Sequence, residues 1–219
     1  MDEREHVEVG GPAALRRLPG LIVSKLAVGP MANNAYLLRD PVTGEGLLID
    51  APSEPERLRE FVQREGDGIG SILITHRHAD HTGALADLVA ATGARVLAGA
   101  EDADALPVPV DRRLRHGDTV QVGVVGLEIV ALRGHTPGSV AVLYRDTEAP
   151  PQLFTGDSLF PGGVGRTGSH ADFDSLIADV ERRLFDVLPD DTHVAPGHGD
   201  DTTLGAGRPH LAEWRLRGW

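Results

Sequence analysis

The chain has 219 residues, 41% hydrophobic and 25% charged, which is ordinary composition for a single α/β domain whose core needs no staples. It has no cysteine, so disulfides, thiolate zinc sites and cysteine nucleophiles are excluded. The net charge is −12 with no basic run, which argues against nucleic-acid partners, and no apolar run reaches the roughly 18 residues of a membrane span.

Residues 1–20 are polar, carry Gly10-Gly11-Pro12 and close on Leu18-Pro19-Gly20, so they predict an arm or an edge element. The opening lacks the apolar stretch of a secretory leader, and the expected address is cytoplasmic, with no membrane partner. Segments 21–28, 35–38 and 47–49 are β-rich, with turn chemistry at Asp40-Pro41-Val42-Thr43-Gly44, and predict a meander ending at Asp50. Leu58, Phe61 and Val62 give residues 53–64 one apolar helical face, with Ser53 as the expected N-cap. A buried strand follows over 69–75, a helix over 82–91 and a strand over 95–98. Residues 119–125 and 126–132 read as a hairpin, and 140–144 and 153–155 as strands. Phe173, Leu176, Ile177, Val180 and Leu184 keep the 3.6 period of a helix over 172–188. A last strand spans 192–195 and a terminal helix 209–216. With no repeat and no long linker, one domain over 1–219 is expected. The order predicts a mixed-sheet α/β fold rather than strict βαβ alternation, and no Gly-rich phosphate loop follows any strand.

The chemistry concentrates in Thr75-His76-Arg77-His78-Ala79-Asp80-His81-Thr82-Gly83, between a buried strand and a helix. Rigid scaffolds place reactive groups in such loops. Neutral imidazoles and carboxylates suit zinc, iron or manganese. Three more candidates follow apolar runs in Gly-rich loops: His135 in Gly134-His135-Thr136-Pro137-Gly138, Asp157 in Thr155-Gly156-Asp157-Ser158, and His198 in Pro196-Gly197-His198-Gly199. Each alone reads as a turn residue. Together they make five histidines and two aspartates, more than one open catalytic cation accepts, whereas two cations accommodate them if one carboxylate bridges.

These residues resemble the metallo-β-lactamase superfamily, whose His-x-His-x-Asp-His motif stands here as His76, His78, Asp80 and His81, with later matches at His135, Asp157 and His198. The resemblance covers nearly the whole chain. It implies a four-layer αβ/βα sandwich of two mixed sheets with outer helices and a metal site on one edge. It also implies a first cation on His76, His78 and His135, a second on Asp80, His81 and His198, and Asp157 bridging. His76 and His78, two apart on an extended segment, project to one side, which agrees with that division. The implied cofactors are two divalent transition-metal ions, zinc first, with iron or manganese as alternatives. In such a site two cations about 3.5–4 Å apart share a water and lower its pKa, and the hydroxide attacks an electrophilic carbonyl. Asp80 is the expected catalytic residue, orienting that hydroxide as well as ligating.

Within the superfamily the chain looks most like the glyoxalase II-like group, which hydrolyses thioesters such as hydroxyacyl-glutathione. The similarity lies in Asp157 within Thr-Gly-Asp-Ser-Leu-Phe, the loop Gly163-Val164-Gly165-Arg166-Thr167, and Pro196-Gly197-His198-Gly199. Only 21 residues follow His198, so the C-terminal helical domain of full-length members is not expected, and the resemblance is to the short bacterial forms. The expected partner is a small-molecule thioester. The other readings are a mononuclear-iron persulfide dioxygenase, suggested in part by Gly165-Arg166-Thr167, and a lactonase on the same fold. Arg166 is the candidate substrate-binding residue, because guanidinium grips a carboxylate bidentately; pairing with Asp172 or Asp174 is its structural alternative. Asn33 and Asn34 read as turn residues, with facing the site as their alternative, His193 as buried and hydrogen-bonded, His170 as a solvent-facing loop residue, with reaching the cleft as its alternative, and Asp200 and Asp201 as groups that orient His198 or cap the segment at Thr202. Trp214 and Trp219 are expected to pack the C-terminus down.

Overall fold

A computed structural model describes residues 6–64 and 68–218. Strands β1 (Ala14–Arg17), β2 (Ile22–Val28), β3 (Asn33–Arg39) and β4 (Gly46–Ile49) form the antiparallel meander. The chain then crosses over through α1 (Pro55–Arg64) to β5 (Ser71–Ile74), through the single turn α2 (Ala79–Thr82) and α3 (Leu85–Thr92) to β6 (Arg95–Gly99), and on to β7 (Arg112–Leu114). Strands β5, β6 and β7 add in parallel, so a seven-stranded sheet runs in sequence order. A second sheet starts with β8 (Thr119–Val122), β9 (Val125–Ala131), β10 (Val140–Tyr144) and β11 (Gln152–Gly156). A small hairpin, β12 (Leu159–Phe160) and β13 (Gly163–Val164), precedes α4 (His170–Val180), which runs into one wider turn over Glu181–Phe185. Strands β14 (His193–Pro196) and β15 (Thr202–Thr203), then α5 (Leu204–Gly207) and α6 (Leu211–Arg217), close the described chain. The second sheet has the order β15-β14-β11-β10-β9-β8, and only β11 and β14 pair in parallel.

Successive strand residues point to opposite faces, and here both faces are covered. Leu38, Ile49 and Leu73 of the first sheet meet Val120, Ile129, Val142 and Phe154 of the second. Their neighbours Leu37, Leu48 and Ile72 pack outward on Leu58, Phe61 and Val62 of α1 and on Leu85 and Leu88 of α3. On the far side Val130, Leu143 and Leu153 pack on Phe173, Leu176 and Ile177 of α4 and on Trp214 of α6. The three apolar layers separate helix, sheet, sheet and helix, the expected four-layer sandwich. They also explain why these strands read as continuous apolar runs rather than as alternation.

Several details depart from expectation. The first helix opens on Pro55, and the buried Ser53 hydroxyl has no hydrogen-bond partner, so Ser53 is not its cap. Proline fits the first helical position because its missing N–H is not needed there. The helix expected over 82–91 is two pieces, parted at Gly83 and Ala84. β7, β12, β13 and β15, with two or three residues each, are too short to carry a period. The arm is an edge: β1 pairs only with β2. Trp214 is buried against Phe185, whereas Trp219 and residues 1–5 lie outside the described residues. No helix among the described residues is long and apolar enough to cross a membrane.

Buried Asp179 fastens α4 to the loop after β9. It accepts from Arg133 Nε (2.8 Å), Arg133 Nη2 (3.0 Å) and Arg182 Nη2 (2.9 Å), two residues before His135. Burial alone would raise its pKa, but the Arg133 bonds outweigh burial and lower it. A folded pKa below the unfolded one means that the contribution is present above the unfolded value and is lost as pH falls through the folded one. Asp179→Asn is expected to cost about 1–2 kcal/mol at pH 7, because Arg133 and Arg182 are solvent-screened, and less at pH 3. Urea denaturation at the two pH values checks this.

Candidate metal centre

The two sheets end on one edge, and the loops leaving them there carry the polar cluster. His76 and His78 follow β5, His81 lies in the turn α2, His135 lies between β9 and β10, Asp157 follows β11 and His198 follows β14. All seven predicted side chains meet. Ligand-type atoms of His76, His78 and His135 lie within 4.8 Å of one another, as do those of His76, His81 and Asp157, and those of Asp80, His81 and His198. Asp157 stands between the flanking groups: Oδ1 is 3.3 Å from His81 Nε2, and Oδ2 is 3.4 Å from His198 Nε2 and 3.6 Å from His135 Nε2. Asp80 Oδ2 is 3.3 Å from His198 Nε2 and 3.6 Å from His81 Nε2.

The far nitrogens of four rings fix their tautomers. His135 Nδ1 donates to the Arg166 carbonyl (2.6 Å), His198 Nδ1 to the Met31 carbonyl (2.9 Å) and His81 Nδ1 to Asp50 Oδ2 (2.8 Å). Thr75 Oγ1 donates to Asp50 Oδ2 and accepts from His76 Nδ1 at 3.1 Å. Protons assigned this way leave each Nε2 as a lone pair. Yet His76 Nε2 faces His135 Nε2 at 3.2 Å, and His81 Nε2 faces His198 Nε2 at 3.2 Å. Two lone pairs at that distance repel unless positive charge sits with them. Burial opposes charge on His81, but Asp50 and Asp157 outweigh it and raise its pKa to about 10, so without a cation a proton on His81 supplies that positive charge and a bound cation would displace it. The same burial, with His81 beside it, drives His76 well below its usual value. Burial also resists ionisation of Asp157, and the neighbouring His198 and His81 overcome it and hold the carboxylate below its usual range. Asp157 Oδ1 is buried and lacks a hydrogen bond. Facing imidazole lone pairs, ionised carboxylates and an orphaned carboxylate oxygen are a donor set that fits divalent transition metals.

Some positioning groups were not singled out from the sequence. Asp50 is buried in the left-handed region (φ 61°), and it joins His81, Thr75 Oγ1 and the Thr75 backbone N–H (2.7 Å). Its signal was its place at the end of an apolar run, shared with Asp157. Buried Asp102 accepts from the Arg77 N–H (3.0 Å), Thr136 Oγ1 (2.5 Å) and the Gly138 N–H (2.9 Å), so it ties the His76–His78 loop to the His135 loop. A Cβ on Gly165 would run into the Asp157 carbonyl, so the loop at 163–167 needs glycine there to approach the cluster.

Other expectations need correction. Asn33 and Asn34 are not turn residues: both lie buried on β3. Asn33 Nδ2 donates to Asp80 Oδ2 (2.9 Å), and Asn34 Nδ2 to the Pro196 and Gly199 carbonyls (3.0 and 2.9 Å). Asp200 and Asp201 do not orient the His198 ring, which uses Met31; Asp200 accepts from His6, and Asp201 from His193 and Lys25. His193 is hydrogen-bonded as expected, and His170 is exposed at the start of α4, beside Asp174. Asp172 bonds Ser169 rather than Arg166. Arg166 lines a groove of about 380 Å³ beside the cluster with Phe160, Pro161, Val164 and Arg217.

The model of the metallo-beta-lactamase superfamily matches residues 28–198. A hydroxyacylglutathione hydrolase of Polaromonas sp. (strain JS666 / ATCC BAA-500) is 38% identical over 180 residues, which cover 81% of this chain and 66% of that protein. The chain spans 62–66% of the length of the curated relatives it matches. TTHA1623, solved in a di-iron-bound form, is 38% identical with a TM-score of 0.71 and covers 84% of this chain and 96% of that one. ETHE1 from Myxococcus xanthus is 29% identical with a TM-score of 0.76, covering 89% of this chain and 84% of that one. The family match spans the loops that carry all seven clustered side chains, and the chain belongs to the metallo-beta-lactamase superfamily.

Proposed function

We propose that the protein is a dinuclear-metal hydrolase that cleaves thioesters of low-molecular-weight thiols in the cytoplasm. The observation that carries this reading is the pair of facing imidazole couples on either side of Asp157. In it His76, His78 and His135 would hold one cation and Asp80, His81 and His198 the other, with Asp157 within reach of both sets. Divalent cations bound there, zinc first and iron or manganese as alternatives, supply acidity to a water and draw off the charge that develops on a carbonyl oxygen.

The chain's own residues orient this chemistry. Asp50, Thr75 and the Arg166 and Met31 carbonyls lock the imidazoles, as groups behind metal ligands do. The Asn33 amide fixes Asp80, whose pKa is lowered although burial opposes it. Asp80 and Asp157 are both held ionised, so neither donates a proton to a leaving group. A thiolate needs none near neutral pH, whereas an alkoxide does, which favours a thioester over a lactone. Arg166 stands over the groove with Phe160 and Val164, suited to a carboxylate on the thiol half. The similarity to hydroxyacylglutathione hydrolases supports the same substrate class. A mononuclear-iron oxidative reaction leaves the Asp80–His198 contact without a role.

S-lactoylglutathione and other thiol esters, assayed with the metal-loaded protein, test the reading. Thioester hydrolysis without oxygen consumption is expected. Good turnover of a lactone with none of any thioester contradicts the substrate, and oxygen consumption with a persulfide contradicts the reaction.

A further inference from the structure

Lys25 is the only lysine, against 20 arginines, and its side chain is 2% exposed. It lies on β2, opposite Tyr36 of β3. Its Nζ donates to Asp201 Oδ1 at 2.8 Å and to the Gly199 carbonyl at 2.9 Å, so it crosses from the first sheet to the loop that follows the last long strand of the second. The other Asp201 oxygen accepts from His193 Nε2 (2.9 Å) and Arg16 Nη2 (3.3 Å).

The segment held this way contains His198. Tyr36 Oη and Asn34 Nδ2 donate to the Pro196 carbonyl (2.7 and 3.0 Å), and the Asn34 N–H donates to the Gly197 carbonyl (2.8 Å). Gly199, in the left-handed region (φ 68°), turns its carbonyl back to Lys25 and to Asn34 Nδ2 (2.9 Å). His198 thus sits between carbonyls anchored on both sides, and its own Nδ1 is fixed by Met31. A slender stem ending in a compact tetrahedral ammonium can reach a carbonyl and a carboxylate at once. A planar guanidinium is not interchangeable with it, which accounts for lysine in a chain that otherwise uses arginine.

We propose that Lys25 is the positioning residue for His198: its buried ammonium grips Gly199 and Asp201, sets the His198–His81 spacing, and thereby sets the affinity of the second cation pocket. This rests on the two-cation reading above.

The test is calorimetric titration of zinc into chelator-stripped protein, repeated with cobalt to follow its visible absorption. Wild type is expected to show two binding events. Lys25→Met is expected to weaken the second about 10- to 100-fold, the usual effect of removing a group behind a metal ligand, and to leave the first unchanged. Removing one member of a buried ion pair also destabilises the fold, so Lys25→Met/Asp201→Asn is measured beside it; removal of both charges is far better tolerated. The double variant is expected to regain thermal stability while the second event stays weak, because Gly199 still lacks its ammonium donor. Recovery of wild-type affinity together with stability overturns the proposal, as does wild-type affinity in the single variant. A wild type that takes up one cation instead overturns the two-cation reading itself, and the proposal with it.

Discussion

Asp157→Ala is expected to lower bound metal from two ions per chain to below one and to cut thioester hydrolysis about 10³-fold or more. Asp157 reaches both flanking groups, with one oxygen 3.3 Å from His81 Nε2 and the other 3.4 and 3.6 Å from His198 and His135. Without it, five imidazoles and Asp80 face two dications with half the negative charge. The Lewis acidity forfeited is worth several kcal/mol, and each 1.36 kcal/mol is about tenfold in rate. The backbone of Gly165 and Gly197 lies close against Asp157, where a Cβ on either would meet it. Elemental analysis with the thioester assay checks both parts, and circular dichroism confirms the fold. Two ions retained in this variant contradict the bridging role.

Asp80→Ala is expected to cut hydrolysis strongly by a different route. Asp80 approaches His198 and His81 and has no close approach to His135, so its loss empties the second pocket and leaves the first. One ion per chain and a loss of about 10²-fold or more in rate are expected, comparable to removing a group that stabilises transition-state charge. Asn33, which also faces His198 Nε2 at 3.3 Å, cannot substitute, since its amide carries no charge. Near wild-type rates contradict the division of ligands between the two pockets.

The histidine–aspartate cluster was legible because its residues sit where apolar runs stop. Ile72-Leu73-Ile74 ends just before His76, Leu153-Phe154-Thr155 just before Asp157, and Val194-Ala195 just before His198. A strand buried on both faces leaves a continuous hydrophobic trace, and its end marks the sheet edge to within a residue or two. The strands were legible for the same reason. The support behind the ligands was not. Lys25 and Asp201 meet 176 positions apart through the stacking of two sheets, and Asn33 and Asp80 meet 47 apart across the edge of the first sheet, and no local period encodes either contact. Asn33 and Asn34 show the difficulty: asparagines after Gly29-Pro30 carry turn chemistry, yet tertiary pairing extends β3 through them and buries both. Ser53 carries a helix-start signal that Pro55, with its preset backbone angle, takes over. Asp50 was visible as the end of an apolar run, but only the fold shows that it holds His81 and Thr75 together.

The most direct measurement is a crystal structure of the protein purified without added metal, with anomalous data across the zinc, iron and manganese edges. Two anomalous peaks about 3.5–4 Å apart are expected. One should lie on the Nε2 atoms of the His76 and His135 couple with His78, the other on those of the His81 and His198 couple with Asp80, and Asp157 should touch both. A single peak, or peaks away from these side chains, contradicts the account.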